Sequence, residues 1–186
     1  QKAKLALGDA WLLLHGAYTP ICAERAQTLA GWTGVPEAER VLAWHREAAA
    51  FKERPQEPPD RAQLLIETQA VGGVWARYWL LVESHRLQAE FVSMESYASA
   101  RRRLFPESPV VRNLLLAARD LRRRGGALRP CWDYPRGALM RALPLLIAGA
   151  DALGGVGRFL PMPAGADHRR RESWEFTYQR WWQYYG

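Results

Sequence analysis

Sixteen of the chain's arginines lie between residues 101 and 186, and the chemistry their clustering suits is the holding of phosphate. Arg101, Arg102 and Arg103 form one run, Arg122, Arg123 and Arg124 a second, and Arg169, Arg170 and Arg171 a third. Arg112, Arg119 and Arg123 recur at i, i+7 and i+11, which sets them on one face of a helix. A guanidinium is planar, always charged, and presents a fork of donors that matches phosphate oxygens. Such contacts give affinity without sequence information and weaken steeply with salt. A solvated face, or ion pairs to acids elsewhere, is the plain alternative use of the same residues.

Aromatic residues follow the third run. Trp174, Tyr178, Trp181 and Tyr185 step 4-3-4, and Trp182 lies beside them. A stripe of this kind docks a terminal helix onto a core or onto a partner subunit, and these five residues are the candidate partner-docking set. Arginine interleaved with aromatic rings also offers faces on which bases of a single strand stack.

Catalytic constellations are not found. His15, His45, His85 and His168 show no metal-ligand spacing, and the chain has no His-Glu-x-x-His and no Cys-x-x-Cys. The stretch Gly149-Ala-Asp-Ala-Leu-Gly154 has the glycine spacing of a phosphate loop but lacks its Lys and Ser/Thr, so β- and γ-phosphates and magnesium would have no ligand. His85 falls on a helical seam, where a satisfied core histidine is the ordinary reading. Cys131-Trp132-Asp133-Tyr134-Pro135 gathers a thiol, a carboxylate and a phenol, but no neighbouring residue identifies an activating base. The expectation is a non-enzyme with no catalytic residue, no metal and no cofactor.

Charge is divided along the chain. Residues 1–100 hold ten Lys+Arg and twelve Asp+Glu, while residues 101–186 hold sixteen Arg, no Lys and seven acids, a net of +9. A basic half joined to a near-neutral half indicates a polyanionic partner for one surface. With 48% apolar residues and nine Trp the chain has the composition of a folded protein. Two cysteines, Cys22 and Cys131, are too few for a disulfide scaffold and fit a reducing compartment. The most apolar stretch, Leu139–Leu153, is interrupted by Arg141, Pro144 and Asp151, and a membrane span needs roughly 20 apolar residues. A cytoplasmic location is expected. Because the chain opens at Gln1 and not at Met, that location is an inference from the residues given.

The elements that must position these residues read as helices. They are predicted at about Lys2–Ala17, Ile21–Trp32, Pro36–Glu53, 61–92, Met94–Leu104, Pro109–Arg124, Gly137–Ala152 and Asp167–Tyr185. Gly125-Gly126 supplies the stop of the sixth, and Pro144 interrupts the seventh. The strongest periodicity belongs to the fourth. Leu64, Thr68, Val71, Trp75, Tyr78, Val82, His85, Ala89 and Val92 follow alternating steps of 4 and 3. Arg54-Pro-Gln-Glu-Pro-Pro-Asp60 reads as a linker, since closely spaced prolines oppose helix.

Leu29-Ala30, Gly34-Val35 and the helix that follows resemble a helix-turn-helix. The motif's apolar position six residues after the turn glycine is occupied by Arg40, with Val41 one late, and Glu37 and Glu39 would face DNA phosphates. An ordinary helix hairpin fits these residues better.

The predicted architecture is all-α, an irregular multi-helix bundle around one long central helix at about 61–92. Its expected divisions are an N-terminal helical region 1–53, a Pro-rich linker 54–60, and a helical core 61–186 with an Arg-rich, aromatic second half. The expected function is that of a non-catalytic DNA- or RNA-binding subunit of a nucleoprotein assembly, with protein subunits as further partners. The alternative is a scaffold or adaptor that docks proteins through Trp/Tyr stripes and Arg without touching nucleic acid. Attachment to anionic lipid is a third reading.

Overall fold

A computed structural model describes residues 1–34, 37–55, 60–148, 152–162 and 165–185. The helices are α1 (Lys2–Leu14), α2 (Cys22–Gly31), α3 (Ala38–Glu53), α4 (Arg61–Leu87), α5 (Met94–Ser99), α6 (Val110–Arg124), α7 (Pro135–Ala148), α8 (Leu153–Val156) and α9 (Arg171–Tyr185). Among the described residues there is no strand, and the fold is all-α. No helix among them is long and apolar enough to cross a membrane. The chain divides into two compact units, Gln1–Glu90 and Phe91–Gly186.

In the first unit α1 packs on α3 and α4, and α2 packs on α3. Leu7, Val41, Val71, Val74 and Tyr78 form its core, ringed by the partly buried Trp11, Trp32, Trp44 and Trp75. Gly8 is the point of closest approach. A Cβ there would meet Leu29 Cδ1 at 2.7 Å and His45 Cδ2 at 2.8 Å, so only a glycine lets α2 and α3 close onto α1. Lys4 of α1, itself buried, reaches Glu47 of α3 at 2.6 Å and Glu67 of α4 at 2.9 Å. Burial opposes the Lys4 charge, but the hydrogen bonds to Glu47 and Glu67 outweigh it and raise the ammonium's pKa.

The long helix starts where predicted, capped by Asp60, whose side chain accepts from the Gln63 N–H at 2.8 Å. It ends at Leu87, short of 92, because Gln88 takes the left-handed conformation at φ 50°. Its buried residues are Val71, Val74, Tyr78, Glu83 and Leu87, whereas Leu64, Thr68, His85 and Val92 of the predicted stripe are exposed. Of the proline-rich stretch 54–60, residues 56–59 lie outside the described residues, and the stretch connects α3 to α4 within the first unit. Val35 and Pro36, the turn and helix start of the motif resemblance, also lie outside them. Val41 is buried and Arg40 exposed.

The second unit is built on Leu139, Ala142, Leu145 and Leu146 of α7, against which α5, α8 and α9 pack. Arg141, on the same helix, is almost fully buried. Its guanidinium donates to the carbonyls of Ala98 at 3.0 Å, Ala100 at 2.8 Å and Arg102 at 2.5 Å. Asp133 lies 3.8 Å from it and accepts the backbone N–H groups of Leu104 at 2.8 Å and Phe105 at 3.2 Å. Desolvating such a pair is offset by the hydrogen bonds its members make, and here those bonds fix the backbone of 98–105, although the buried Arg141 Nε has no partner among the described residues. The helix predicted for Met94–Leu104 therefore stops at Ser99, and Arg101–Arg103 stand on that fixed loop.

Candidate nucleic-acid interface

Helix α6 carries the predicted arginine face, and its attachment to the unit is unusual. Its buried residues are Asn113 and Asp120, seven positions apart and so on one side of the helix. Asn113 accepts from the Ser108 hydroxyl at 2.8 Å and donates to the Trp132 carbonyl at 3.3 Å. Asp120 accepts the Tyr185 hydroxyl at 2.5 Å and pairs with Arg124. Most of the large apolar residues of α6 are exposed, with Leu116 partly buried. Val111 is 70% exposed, Leu115 67% and Leu121 62%, with Val110 and Leu114 also on the surface. Of Val110, Leu114, Ala117 and Leu121, which their spacing sets opposite the arginines, Ala117 is partly buried and the others are exposed, in an apolar arc that Val111 and Leu115 extend towards the arginine stripe.

The arginines separate into two groups. Arg103 donates to the Phe105 carbonyl at 3.2 Å and to the Ser108 carbonyl, locking the turn before α6. Arg119 donates to the Tyr185 hydroxyl at 2.8 Å, and that bond raises its pKa. Arg124 pairs with Asp120 and lies over the Tyr184 ring at 3.9 Å and the Trp181 ring at 5.7 Å. Arg171, which opens α9, reaches Glu175 at 2.7 Å. By contrast, Arg101, Arg112, Arg122, Arg123, Arg169 and Arg170 are exposed, and their guanidiniums have no partner among the described residues. Arg102 is exposed, and its carbonyl is held by Arg141.

The aromatic stripe is turned inward. Trp174, Trp181 and Tyr185 belong to the core of their own unit, Tyr178 is partly buried against it, and Trp182 is exposed and stacks on Tyr178 at 5.8 Å. The Trp174 indole donates to the His168 carbonyl at 2.9 Å, and Arg136 donates to the Tyr185 carbonyl at 3.0 Å. These bonds seat α9, so of the candidate docking set only Trp182 presents much of its ring to the surface. Among the other exposed members of α9 are Phe176, Arg180 and Tyr184. No sequence argument had singled them out. Their i, i+4, i+8 spacing, out of phase with the 4-3-4 stripe, was the available signal. For α6 the signal was Asn113 and Asp120, two polar residues one heptad apart in an otherwise amphipathic run.

His85 is exposed and so is not the core histidine that its seam position predicts. His45 is fully buried, its Nε2 3.3 Å from Asp9, which also lies 3.2 Å from Arg25. Cys131 donates to the Leu128 carbonyl at 3.5 Å, and Asp133 is occupied by backbone N–H groups. Both cysteines are free thiols. Among the described residues no group of three His, Cys, Asp or Glu side chains is placed to hold a metal, and Gly149–Asp151 of the phosphate-loop-like stretch lie outside them. What remains is a basic, partly apolar surface on the second unit. No protein-family model, curated protein or solved structure matches the chain.

Proposed function

We propose that the second unit is a non-catalytic nucleic-acid-binding module of a nucleoprotein assembly, with α6 as its contact helix. The observation that carries the reading is the attachment of α6 through Asn113 and Asp120, which leaves Arg112, Arg122 and Arg123 unpaired at the surface. Residues 91–186 hold sixteen Arg against eight acids, and Asp120, Asp133 and Glu175 are already spent on internal partners. The excess positive charge therefore faces outward, where phosphates are its natural complement. Arg101 and the Arg169–Arg170 pair supply further phosphate contacts, and the apolar arc of α6 packs on another subunit of the assembly.

Fluorescence anisotropy of labelled DNA and RNA tests this reading at several salt concentrations. Arg122→Glu with Arg123→Glu weakens binding uniformly across sequences, because both side chains address phosphate and not bases. Unchanged affinity in that variant overturns the proposal. The second reading, an adaptor that touches only protein, is favoured by the exposed Val111, Leu115 and Leu121. It gains if the folded protein binds no nucleic acid at low salt.

A further inference from the structure

A pocket of about 310 Å³ opens between the C-terminal end of α6 and α9, lined by Arg124, Pro161, Thr177, Arg180, Trp181 and Tyr184. Tyr184 is 52% exposed, and the Arg124 guanidinium carbon lies over its ring, 3.9 Å from the centroid. The Arg180 guanidinium is exposed and has no partner among the described residues. One turn beyond Arg180 stands Phe176, 65% exposed on a helix whose other large apolar side chains mostly serve the core. Phe176, Arg180 and Tyr184 share one face, and at 1.5 Å per residue the row spans about 12 Å. A ring, a free guanidinium and a second ring backed by another guanidinium make a surface of flat, electron-rich and cationic faces. Its complement is a series of flat rings joined by negative charge.

We infer that the row Phe176–Arg180–Tyr184, with Arg124, stacks unpaired bases, so that the nucleic acid recognised by the second unit is single-stranded. This inference rests on the nucleic-acid reading above. In a duplex the faces of the bases are hidden against one another and only edges and phosphates are offered, so exposed rings gain nothing from it. On a single strand every base presents a face, and stacking on aromatic rings and arginine is tolerant of sequence. The unpaired Arg122 and Arg123, in the last turn of α6 beside Arg124, hold the backbone where the strand leaves the row.

The test compares three labelled probes of equal length: a thymidine strand, the same strand made abasic throughout, and a duplex. The wild-type protein binds the thymidine strand most tightly. Phe176→Ala and Tyr184→Ala each weaken that binding about tenfold and leave the abasic strand and the duplex unaffected. Both side chains are exposed, so the variants fold, which circular dichroism verifies, and Tyr184→Phe retains the wild-type affinity. If the alanine variants bind the thymidine strand as the wild type does, or if the abasic strand binds equally well, the stacking inference is overturned while the phosphate reading stands. If the wild type binds none of the three, both fall.

Discussion

The Tyr185 hydroxyl donates to Asp120 Oδ2 at 2.5 Å and accepts from Arg119 Nη2 at 2.8 Å, fastening the last turn of α9 to the inner side of α6. Asp120 is 1% exposed, so its charge is met inside the protein and not by water. Burial first, and the Asp120 bond second, push the Tyr185 phenol's pKa above its ordinary value. A helix held in this way does not need its leucines for attachment. That is the physical reason α6 can turn both an apolar arc and an arginine stripe outward.

Replacing Tyr185 with Phe removes a donor from a buried carboxylate without opening a cavity. The expected loss is about 1–3 kcal/mol of stability, measured by urea unfolding, because Asp120 keeps Arg124 but loses its hydroxyl partner. Arg119 loses its hydroxyl partner by the same change but keeps Asp120 at 3.4 Å, so nucleic-acid affinity should hold in the folded variant. A fall in affinity at unchanged stability would mean that Tyr185 itself touches the ligand.

Salt dependence separates contact arginines from structural ones. Arg122→Ala and Arg123→Ala should each lower the slope of log K against log salt by about 1, with no change in unfolding. Arg124→Ala should instead cost stability, since its guanidinium pairs with Asp120 and covers Tyr184. Equal slopes for wild type and the Arg122 and Arg123 variants would show that neither side chain neutralises a phosphate.

Much of this was legible in the chain itself. Helical composition and period placed α6 within a residue or two and gave its stop at Gly125, since both are local properties. The surface role of its apolar residues was not legible. A leucine pattern looks the same whether the helix is held by its leucines or, as here, by Asn113 and Asp120 bonded to Ser108, Trp132 and Tyr185. The same applies to Arg101–Arg103. Their helix ends early because Arg141, about 40 positions later, takes the carbonyls of Ala98, Ala100 and Arg102. Long-range polar bonds decided these two misses, and hydropathy period carries no record of them, whereas α4 stops short of 92 at the left-handed Gln88.

Asp133 supplies the sharpest test of that long-range bonding. Asp133→Asn keeps the shape but strips the charge opposite the buried Arg141, and the expected cost is about 3–5 kcal/mol. Gly137→Ala should also destabilise, by about 1–3 kcal/mol, because the new Cβ would lie 2.7 Å from Asp133 Oδ2. Chemical denaturation checks both. If Asp133→Asn unfolds like the wild type, the charge opposite Arg141 adds nothing to the stability of this loop, which the Arg141 bonds to the Ala98, Ala100 and Arg102 carbonyls then hold.

The pH dependence of the first unit follows from Lys4, Glu47 and Glu67. Burial opposes the Glu47 charge, but the Lys4 hydrogen bond outweighs it, and Lys4 likewise draws Glu67 below the ordinary 4.5. Depressed carboxylate values mean the stabilisation is full above pH 4.5 and is lost as the pH falls through the lower folded values. Lys4 is raised, so its share is present below 10.5 and lost as the pH climbs through its folded value. Burial also pushes Tyr78 up to about 12, so its contribution fades between the ordinary 10.0 and that value. Lys4→Met should therefore be less stable than the wild type at neutral pH, with the difference narrowing on the acid side of 4.5 as both carboxylates take up protons. Urea unfolding of the two proteins across pH measures the difference directly. A gap that stays constant through the acid limb would remove the ion triad from the stability of this unit and assign the loss to the packing of the Lys4 stem between α1, α3 and α4.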